Sequence, residues 1–541
     1  MDGEHILFIN GNILTMDPDN PRAEAVAVID GRIHLVGPTN IIRPRGPHRD
    51  GRYVDLGGKT VIPGFNDSHC HILSFGLDLG RMDVSADRVK SIADIERLIA
   101  ERAEKAAPHE WLLGRGYDQN QLQEGRHPTA EELDRASGGR PVVLWHTSGH
   151  VLTASTRALQ LAGITANTTT PPGSAIERDE HGRPTGVLKE SPAMDLIARV
   201  LPAPSVEEGS EAILRAMEVM ARQGITSASD AATGRGDDIE PELEMYRRAA
   251  SSGRMRGRIT LMPQITYVAP PDSDDVRLPE DFDAGTEPDR LRIGSTKIFS
   301  DGALSTRTAA VRQPYAGTDD LGILLWEPEV LAGMIRHAHE TGWHIATHAL
   351  GDRAIETVLD CYQAALEAAP RPDHRHRIEH CMITDEGLAR RIKTLGVLPS
   401  LQPDIFRLGD GYITALGPER ASEVIPMALF DRLGVQVAFS SDRPVIPGDP
   451  LQCILDAMER RTPKGVVLGP EHRIGAMEGI RNYTVGGARA THQERDKGRI
   501  RPGLLADFAV LDRDPTNASA GDIRATEVVM TVLGGEIVFE R

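Results

Sequence analysis

The two ends of the chain carry short apolar runs separated by turn-forming residues. Near the beginning these runs cover 6–9 and 25–29, each followed by an Asn-Gly or Asp-Gly pair, and 528–532 repeats the pattern near the end. This is typical of short antiparallel strands joined by tight turns. Neither end holds enough strands for a stable sandwich alone. The sequence therefore predicts one small β-sandwich domain formed by 1–62 together with 495–541.

Between the ends the pattern changes to strand-like apolar runs that alternate with amphipathic helical stretches. The clearest strand-like runs are 293–299, 344–348 and 435–439, and the clearest helical stretches are 205–223, 327–341 and 353–369. Such alternation over roughly 400 residues is typical of a large (β/α) barrel, here predicted for 63–494. Residues 80–200 fit the alternation poorly, and we expect them to form an inserted α/β lid subdomain over the barrel mouth.

Composition narrows the class of protein. With 541 residues, 40% hydrophobic and 26% charged, the chain has the make-up of an ordinary globular protein. The net charge of −18 argues against nucleic acid or an anionic membrane as a partner. No apolar run reaches membrane length, no signal-peptide pattern is present, and the four cysteines lie far apart, so we expect a cytoplasmic protein without disulfides.

His69 and His71 lie in the run 61–71, which is typical of a strand. Successive side chains of a strand point to opposite faces, so these two imidazoles project to one side and Cys70 to the other. Neutral imidazole is a common zinc ligand, and two on one strand form half of a metal site. The pair alone is weak evidence, because two surface histidines also fall at this spacing by chance.

Four further candidate ligands, Lys297, His348, His380 and Asp442, lie within or just after strand-like runs. The separations in sequence from Lys297 to His348 and from His348 to His380 suit successive βα units, and the separation from His380 to Asp442 suits a skipped unit. Residues at the C-terminal ends of barrel strands converge on one pocket, where barrel enzymes hold their active sites. The sequence therefore predicts that these residues join the histidine pair in one pocket.

Several segments together carry a resemblance to a known family. They are 63–71, 186–190, 297–307, 348–354, 376–380, 441–442 and 503–507. On these motifs, which span essentially the whole chain, the sequence resembles the amidohydrolase superfamily and, within it, the amidohydrolase family 3 branch. The resemblance implies a metal-dependent (β/α)8 TIM barrel with a small β-sandwich made from both termini, in agreement with the hydrophobic pattern.

The resemblance also implies a role for each candidate ligand. The histidine pair and Asp442 would hold one divalent metal ion, and His348 and His380 a second. Lys297, carboxylated by CO2, would bridge the two ions, because a carbamate is an anionic ligand whereas an ammonium is not. Two ions, expected to be zinc, would polarise a bridging water toward hydroxide and activate the scissile carbonyl. Asp442 would serve as general base and then protonate the leaving amine.

Two alternatives stay open at this point. An uncarboxylated Lys297 paired with an acid such as Asp301 would leave a mononuclear site, and Asp442 could cap a helix instead of binding metal. Strand alternation also predicts that Glu379 points away from the metals, and we expect Arg377 to pair with acids around the barrel rim.

The residues that would bind substrate are harder to predict than the ligands. Comparable segments line the pocket in the family, which makes Tyr117, His150, Arg307 and Gln402 candidate substrate-binding residues. For each of them a structural role is an equal alternative. The loops and the insertion carry no motif that names a substrate.

These observations predict a metal-dependent hydrolase that cleaves a carbon–nitrogen bond other than a peptide bond (an EC 3.5 type activity), in an amide, N-acyl or N-formyl compound. A mononuclear deaminase or a cyclic-amide hydrolase of the same superfamily is the alternative, although His348 is not followed by the glutamate typical of such deaminases. A non-catalytic regulatory relative is a third hypothesis, disfavoured because all six ligand positions are kept. The expected partners are a small-molecule substrate and a second copy of the chain.

Overall fold

The structure is a computed structural model that describes most of the chain. The described residues are 5–45, 51–107, 109–146, 151–171, 174–234, 238–270, 277–282, 285, 289–304, 306–516 and 519–541. They form two compact units, one comprising Met1–Gly76 with Val206–Arg541 and the other Leu77–Ser205.

Strands from both ends of the chain form two sheets in the first unit. The four-stranded sheet has the order Arg32–Gly37, Ala25–Ile29, His5–Ile9 and Arg52–Asp55. The six-stranded sheet has the order Glu536–Glu540, Val528–Leu533, Phe508–Leu511, Thr60–Pro63, Asn12–Leu14 and Arg22–Ala23. Thr60–Pro63 pairs antiparallel with Phe508–Leu511, so the beginning and the end of the chain meet in one ladder.

Alternating side chains of these two sheets share one apolar core. Phe8 of the four-stranded sheet meets Phe508 of the six-stranded sheet edge to face, with ring centroids 5.8 Å apart. Val28 and Val510 are buried in the same cluster. Each sheet therefore covers the apolar face of the other, as two-layer packing requires.

The centre of the first unit consists of parallel strands in two sheets. The four-stranded sheet contains Phe65–Cys70, Ile225–Thr233, Arg258–Pro263 and Leu291–Ile293, in that order. The five-stranded sheet contains Thr296–Phe299, Ile345–Ala349, Arg377–His380, Leu398–Leu401 and Ala438–Phe439. Most of these strands are buried along their whole length, as expected for parallel sheets covered on both faces.

The two parallel sheets meet at both edges. A parallel bridge pairs Gln264 with Lys297 at one edge. At the other, the Asp442 N–H donates to the carbonyl oxygen of His69 at 2.8 Å. Among the described residues no continuous ladder joins this second edge, so strand pairing alone does not close the barrel.

Helices connect and cover the parallel strands. They are Val206–Arg222, Glu240–Ser251, Pro328–Glu340, Asp352–Ala368, Glu386–Leu395, Gly409–Leu416, Pro418–Ser422, Met427–Leu433, Pro450–Glu459, Ala476–Arg481, Gly487–Ala490 and Ala520–Arg524, with Thr39–Ile42 near the start and Ile72–Leu79 beginning in this unit. Local chemistry sets their ends. In Glu386–Leu395 the Asp385 carboxylate accepts from the Leu388 N–H, and Gly396 ends the helix at φ +72°. Within the described chain, no helix has both the length and the apolarity to cross a membrane.

The second unit combines a six-stranded mixed sheet with four helices in its described part. The strand order is Ala175–Arg178, Pro184–Lys189, Val151–Ala154, Val142–His146, Leu112–Tyr117 and Met82–Asp83. The helices are Ile92–Ala103, Ala130–Ser137, Thr156–Leu161 and Ser191–Ala198. A reciprocal capping box between Thr129 and Glu132 begins the second of these helices, and Gly138 ends it. The predicted domain boundaries, and the predicted role of this segment as a lid, stay predictions.

Candidate metal centre

The six predicted ligand residues line one cavity of about 220 Å³. They are His69, His71, Lys297, His348, His380 and Asp442. All six lie at, or within three residues of, the C-terminal end of a parallel strand. Because these ends converge in a barrel, residues distant in sequence come together there.

Asp442 and the two histidines of the first parallel strand form the tightest cluster. Asp442 Oδ1 lies 3.2 Å from His71 Nε2 and 3.4 Å from His69 Nε2. One candidate ligand atom from each residue falls within 4.8 Å of the others. Burial raises the pKa of Asp442, but the imidazole contacts outweigh it and hold the carboxyl well below its usual value. The residue is therefore an anion facing two imidazoles.

The loop that carries Asp442 is fixed to the strand that carries His69. Besides the backbone hydrogen bond between these two residues, the Ser441 N–H donates to the Asp67 carboxylate at 2.9 Å. The next described helix begins only at Pro450. The alternative that Asp442 caps a helix is therefore wrong.

His380 is held by Gln402 through the nitrogen that faces away from the cluster. Its Nδ1 lies 2.8 Å from Gln402 Oε1, and the Gln402 amide nitrogen donates to Ser440 Oγ at 2.8 Å. Since the amide orientation is thus set, Oε1 accepts the Nδ1 proton and the Nε2 lone pair stays open. Burial lowers the pKa of His380 to about 3, so the imidazole is neutral, as metal binding requires.

His348 shows the same arrangement with its nitrogens exchanged. Its Nε2 lies 3.1 Å from the carbonyl oxygen of Gly302, whereas Nδ1 is buried and makes no hydrogen bond to any described residue. Burial, followed by the neighbouring His380 and Lys297, lowers the pKa of His348 well below its usual value. A buried polar atom without a partner is costly unless a ligand occupies the site. This unpartnered nitrogen is the observation that best fits a metal ion.

Glu379, on the strand Arg377–His380 of the other parallel sheet, holds the outer nitrogen of His69. Its carboxylate accepts from His69 Nδ1 and from Arg377 Nε, the latter at 2.8 Å. Burial raises the pKa of Glu379, but the charge of Arg377 and the contact with His69 hold it below its usual value. A carboxylate behind a ligating histidine is a common feature of metal sites.

Two expectations for this strand are corrected by these contacts. Glu379 does not line the cavity, but it touches a candidate ligand instead of pointing away from the centre. Alternation fixes only the direction of the Cβ bond, whereas the imidazole of His69 reaches a strand of the other parallel sheet. Arg377 is 1% exposed and does not lie at the rim, because it pairs with Glu379 inside the barrel.

Lys297 is buried beside the histidines with its amine directed into the cavity cluster. Its Nζ lies 3.5 Å from His69 Nε2 and 4.5 Å from the centre of the Phe299 ring. Burial lowers the pKa of Lys297 to about 8, with Glu379 and Asp442 opposing the shift. A substantial fraction of the amine is therefore neutral and nucleophilic near pH 8.

Asp301 is occupied by the protein backbone. Its carboxylate accepts from the backbone N–H groups of Ala310, Leu350 and Gly351. The described contacts of Lys297 contain no ion pair with it, so the alternative in which these two residues neutralise each other is not formed. Burial raises the pKa of Asp301 to about 7.

The remaining wall of the cavity is apolar apart from one hydroxyl group. None of the residues that form this wall was predicted from the sequence. The wall residues are Phe299, Ala303, Leu304, Leu350, Ile405, Leu408, Tyr412 and Val445. Tyr412 is 2% exposed, and its hydroxyl makes no hydrogen bond to a described residue. Apolar residues in loops and short helices carry no sequence signal that separates a pocket wall from a core.

Of the predicted substrate-binding residues, Gln402 and Arg307 lie in the first unit, and neither lines this cavity. Gln402 contacts His380, and the partly buried Arg307 donates to the Thr414 carbonyl oxygen at 3.5 Å. Tyr117, in the second unit, bonds through its hydroxyl to Thr153 Oγ1 at 3.0 Å. His150 lies outside the described residues. Their contacts with substrate stay predictions.

Comparison with known proteins identifies the family. The amidohydrolase family matches residues 52–539 of the chain. The chain belongs to this family. It is 31% identical to the putative amidohydrolase YtcJ of Bacillus subtilis over 99% of both chains, and 30% identical to an N-substituted formamide deformylase of Arthrobacter pascens, over 99% of this chain and 98% of the other.

A solved structure agrees with this assignment. An uncharacterized metal-dependent hydrolase from Pyrococcus furiosus superposes with a TM-score of 0.77 at 26% identity, over 95% of this chain and 100% of the other. The α/β TIM-barrel class predicted from the sequence is thereby confirmed. The chain is accordingly a metal-dependent hydrolase of the amidohydrolase superfamily.

Proposed function

We propose that this amidohydrolase cleaves a non-peptide carbon–nitrogen bond at a centre of two divalent metal ions, expected to be zinc. The observation that carries the proposal is the shared orientation of three imidazoles. His69, His348 and His380 each have one ring nitrogen held by a protein acceptor, which leaves the other for the cavity they share with Asp442 and Lys297. Such support fixes the tautomer that a ligating histidine needs.

Lys297 supplies the bridging ligand in this proposal. The neutral amine attacks CO2, a carbon–nitrogen bond forms, and one proton leaves to solvent, which gives an anionic carbamate. Burial favours the neutral amine, because it lowers the pKa of Lys297 to about 8. The amine lies 3.5 Å from His69 Nε2, close enough for a carbamate oxygen to share a metal ion with that imidazole.

Asp442 moves the proton. The metal ions supply Lewis acidity toward the substrate carbonyl and increase the acidity of water. Asp442 Oδ1 lies beside both His69 and His71, where it takes the proton of the attacking water and returns it to the departing amine nitrogen. Its low pKa keeps it in the ionised form that accepts a proton.

The wall of the cavity indicates the kind of amide. Seven of its side chains are hydrocarbon, and the Tyr412 hydroxyl is the polar group that no described residue satisfies. We expect a small amide, N-acyl or N-formyl compound with an apolar substituent, whose carbonyl oxygen accepts from Tyr412. The similarity to an N-substituted formamide deformylase supports this substrate class.

Elemental analysis of protein purified without chelators or affinity metals tests the metal centre. We expect two metal ions per chain. A protein that binds no metal even after reconstitution with bicarbonate and zinc, and is nevertheless fully active, would overturn the proposal. A panel of N-substituted formamides and N-acyl amines, assayed for released amine, and of cyclic amides, assayed for ring opening, tests the bond. An Asp442→Asn variant, which keeps the shape of the side chain without its charge, is the matched inactive control.

A mononuclear deaminase or a cyclic-amide hydrolase is the second candidate. Its test is the same stoichiometry together with the identity of the product. One ion per chain and release of ammonia from an amino-substituted ring would favour a deaminase, whereas ring opening without a released amine would favour a cyclic-amide hydrolase.

The cellular setting forms part of the same proposal. The four cysteines are free and buried, which suits a reducing cytoplasm. We expect a homodimer that takes a small molecule as substrate.

A further inference from the structure

A second cavity lies at the opposite end of the parallel strands from the candidate metal centre. It has a volume of about 220 Å³. Ser295 and His344, which line it, come immediately before two parallel strands, and Arg377 is the first residue of a third. Because barrel enzymes place their catalytic groups at the C-terminal ends of strands, this N-terminal cavity is not part of the metal centre.

The cavity contains an arginine that pairs with none of the described residues. Arg292 lines it, and its guanidinium makes no hydrogen bond or ion pair with any described residue. Burial lowers the pKa of Arg292, and the charge of Asp496 opposes the shift. By contrast, nearby Arg375 is neutralised by Asp373 and Glu494. Arg292 is therefore a partly buried cation that forms no ion pair within the described part of the chain.

Two histidine rings that contact each other at a tilt of 38° form another part of the wall. The rings of His344 and His492 have centroids 3.8 Å apart, and both residues line the cavity. Nε2 of His492 is buried and bonds to no described residue. Burial, together with the neighbouring His344 and Arg375, lowers the pKa of His492 to about 3, so the surroundings resist additional positive charge. Thr260 and Ser295 contribute hydroxyl groups to the same cavity.

We propose that this cavity binds a small oxyanion, a carboxylate or phosphate group, through Arg292 and His492. The planar guanidinium donates two parallel hydrogen bonds to such a group, and His492 donates a third through Nε2–H. An anion here would pair with the Arg292 guanidinium and accept a hydrogen bond from His492 Nε2 at the same time. A cation would be repelled by Arg292, and a neutral apolar ligand would leave Arg292 unpaired. The volume restricts the ligand to a small molecule.

The cavity wall is also connected to the metal centre. Arg377, which lines the cavity, donates to Glu379, and Glu379 accepts from the candidate ligand His69. An anion that interacts with the Arg377 guanidinium weakens the ion pair between Arg377 and Glu379. This in turn alters the hydrogen bond between Glu379 and His69. Occupancy of the cavity is therefore expected to change how firmly the metal is retained.

Calorimetric titration of the metal-loaded protein tests the site, with inorganic phosphate and acetate as separate probes at constant ionic strength set by chloride. We expect saturable binding of at least one probe, weakened at least tenfold in Arg292→Met and unchanged in Arg336→Met. Arg336 is a matched control because it is an exposed arginine on the helix Pro328–Glu340. Binding of one probe alone identifies the group as phosphate or carboxylate.

The contrary outcomes are equally defined. No saturable binding of either probe, or equal binding by wild type and Arg292→Met, would overturn the site and assign any anion affinity to the metal centre. Should Arg292→Met not fold, His492→Phe provides the same comparison, because it removes the Nε2 donor and keeps an aromatic ring. Neither result bears on the proposed hydrolytic reaction, which the metal stoichiometry tests separately.

Discussion

Replacing Gln402 by leucine tests whether this residue binds substrate or positions a ligand. In the structure its Oε1 accepts from His380 Nδ1 at 2.8 Å, and both residues are buried. Leucine cannot accept that proton. In the metal-free variant the His380 proton can move from Nδ1 to Nε2, so that no buried donor is left without an acceptor. When Nε2 binds the metal, the proton must stay on Nδ1. The cost of that unsatisfied buried donor, about 1–3 kcal/mol, therefore destabilises only the metal-bound state.

That cost corresponds to a metal affinity about 10- to 100-fold weaker, the usual effect of removing a group that supports a ligand. Competition with a zinc chelator measures it directly. Gln402→Glu keeps the acceptor and should retain the metal, and Gln363→Leu, on the surface of the helix Asp352–Ala368, is the matched control. If Gln402→Leu raised KM and left the metal affinity unchanged, the reasoning would be refuted and Gln402 would be assigned to substrate binding.

Three further predictions concern the same cavity. Lys297→Ala should lose one of the two metal ions and nearly all activity, with partial rescue by small carboxylic acids that replace the carbamate; full activity would contradict the bridging role. In the metal-free protein, the pKa of Lys297 is lowered from 10.5 to about 8 on folding, so the unfolded chain binds more protons between these values. The free energy of unfolding should therefore rise as the pH rises through that window, and denaturant titrations should show a weaker rise in Lys297→Met. Tyr412→Phe should lower kcat by about 100-fold with both metals retained, as loss of one donor to a developing oxyanion does; steady-state kinetics with metal analysis would disprove this role if kcat were unchanged.

The fold was largely accessible from the sequence because its signals are local and periodic. The predicted helices 205–223 and 353–369 correspond to Val206–Arg222 and Asp352–Ala368. The predicted strand 293–299 is interrupted at Gly294 and Ser295, since a glycine there packs directly against Thr260. Hydrophobic periodicity does not register such a break.

In the candidate site, too, the features with a local sequence signal were predictable and the others were not. Histidine, lysine and aspartate at strand ends are recognisable in a sequence, and the structure gathers all six around one cavity. The orienting roles of Glu379 and Gln402 could not be predicted, because an outer hydrogen bond depends on how strands that are distant in sequence are aligned. The apolar wall was equally hidden, since a leucine that lines a pocket has the same sequence character as one in a core.

One feature of the wall bears on how this family changes over time. Ile405, Leu408 and Tyr412 lie on the consecutive short helices Pro403–Leu408 and Gly409–Leu416, which carry no candidate metal ligand. Part of the proposed substrate wall is thus carried by a stretch of chain that holds no candidate ligand. A lineage can acquire a new substrate by altering residues 403–416 while its metal residues stay constant. Two relatives with identical ligands therefore need not share a substrate, and comparison of this stretch is the better guide to shared specificity.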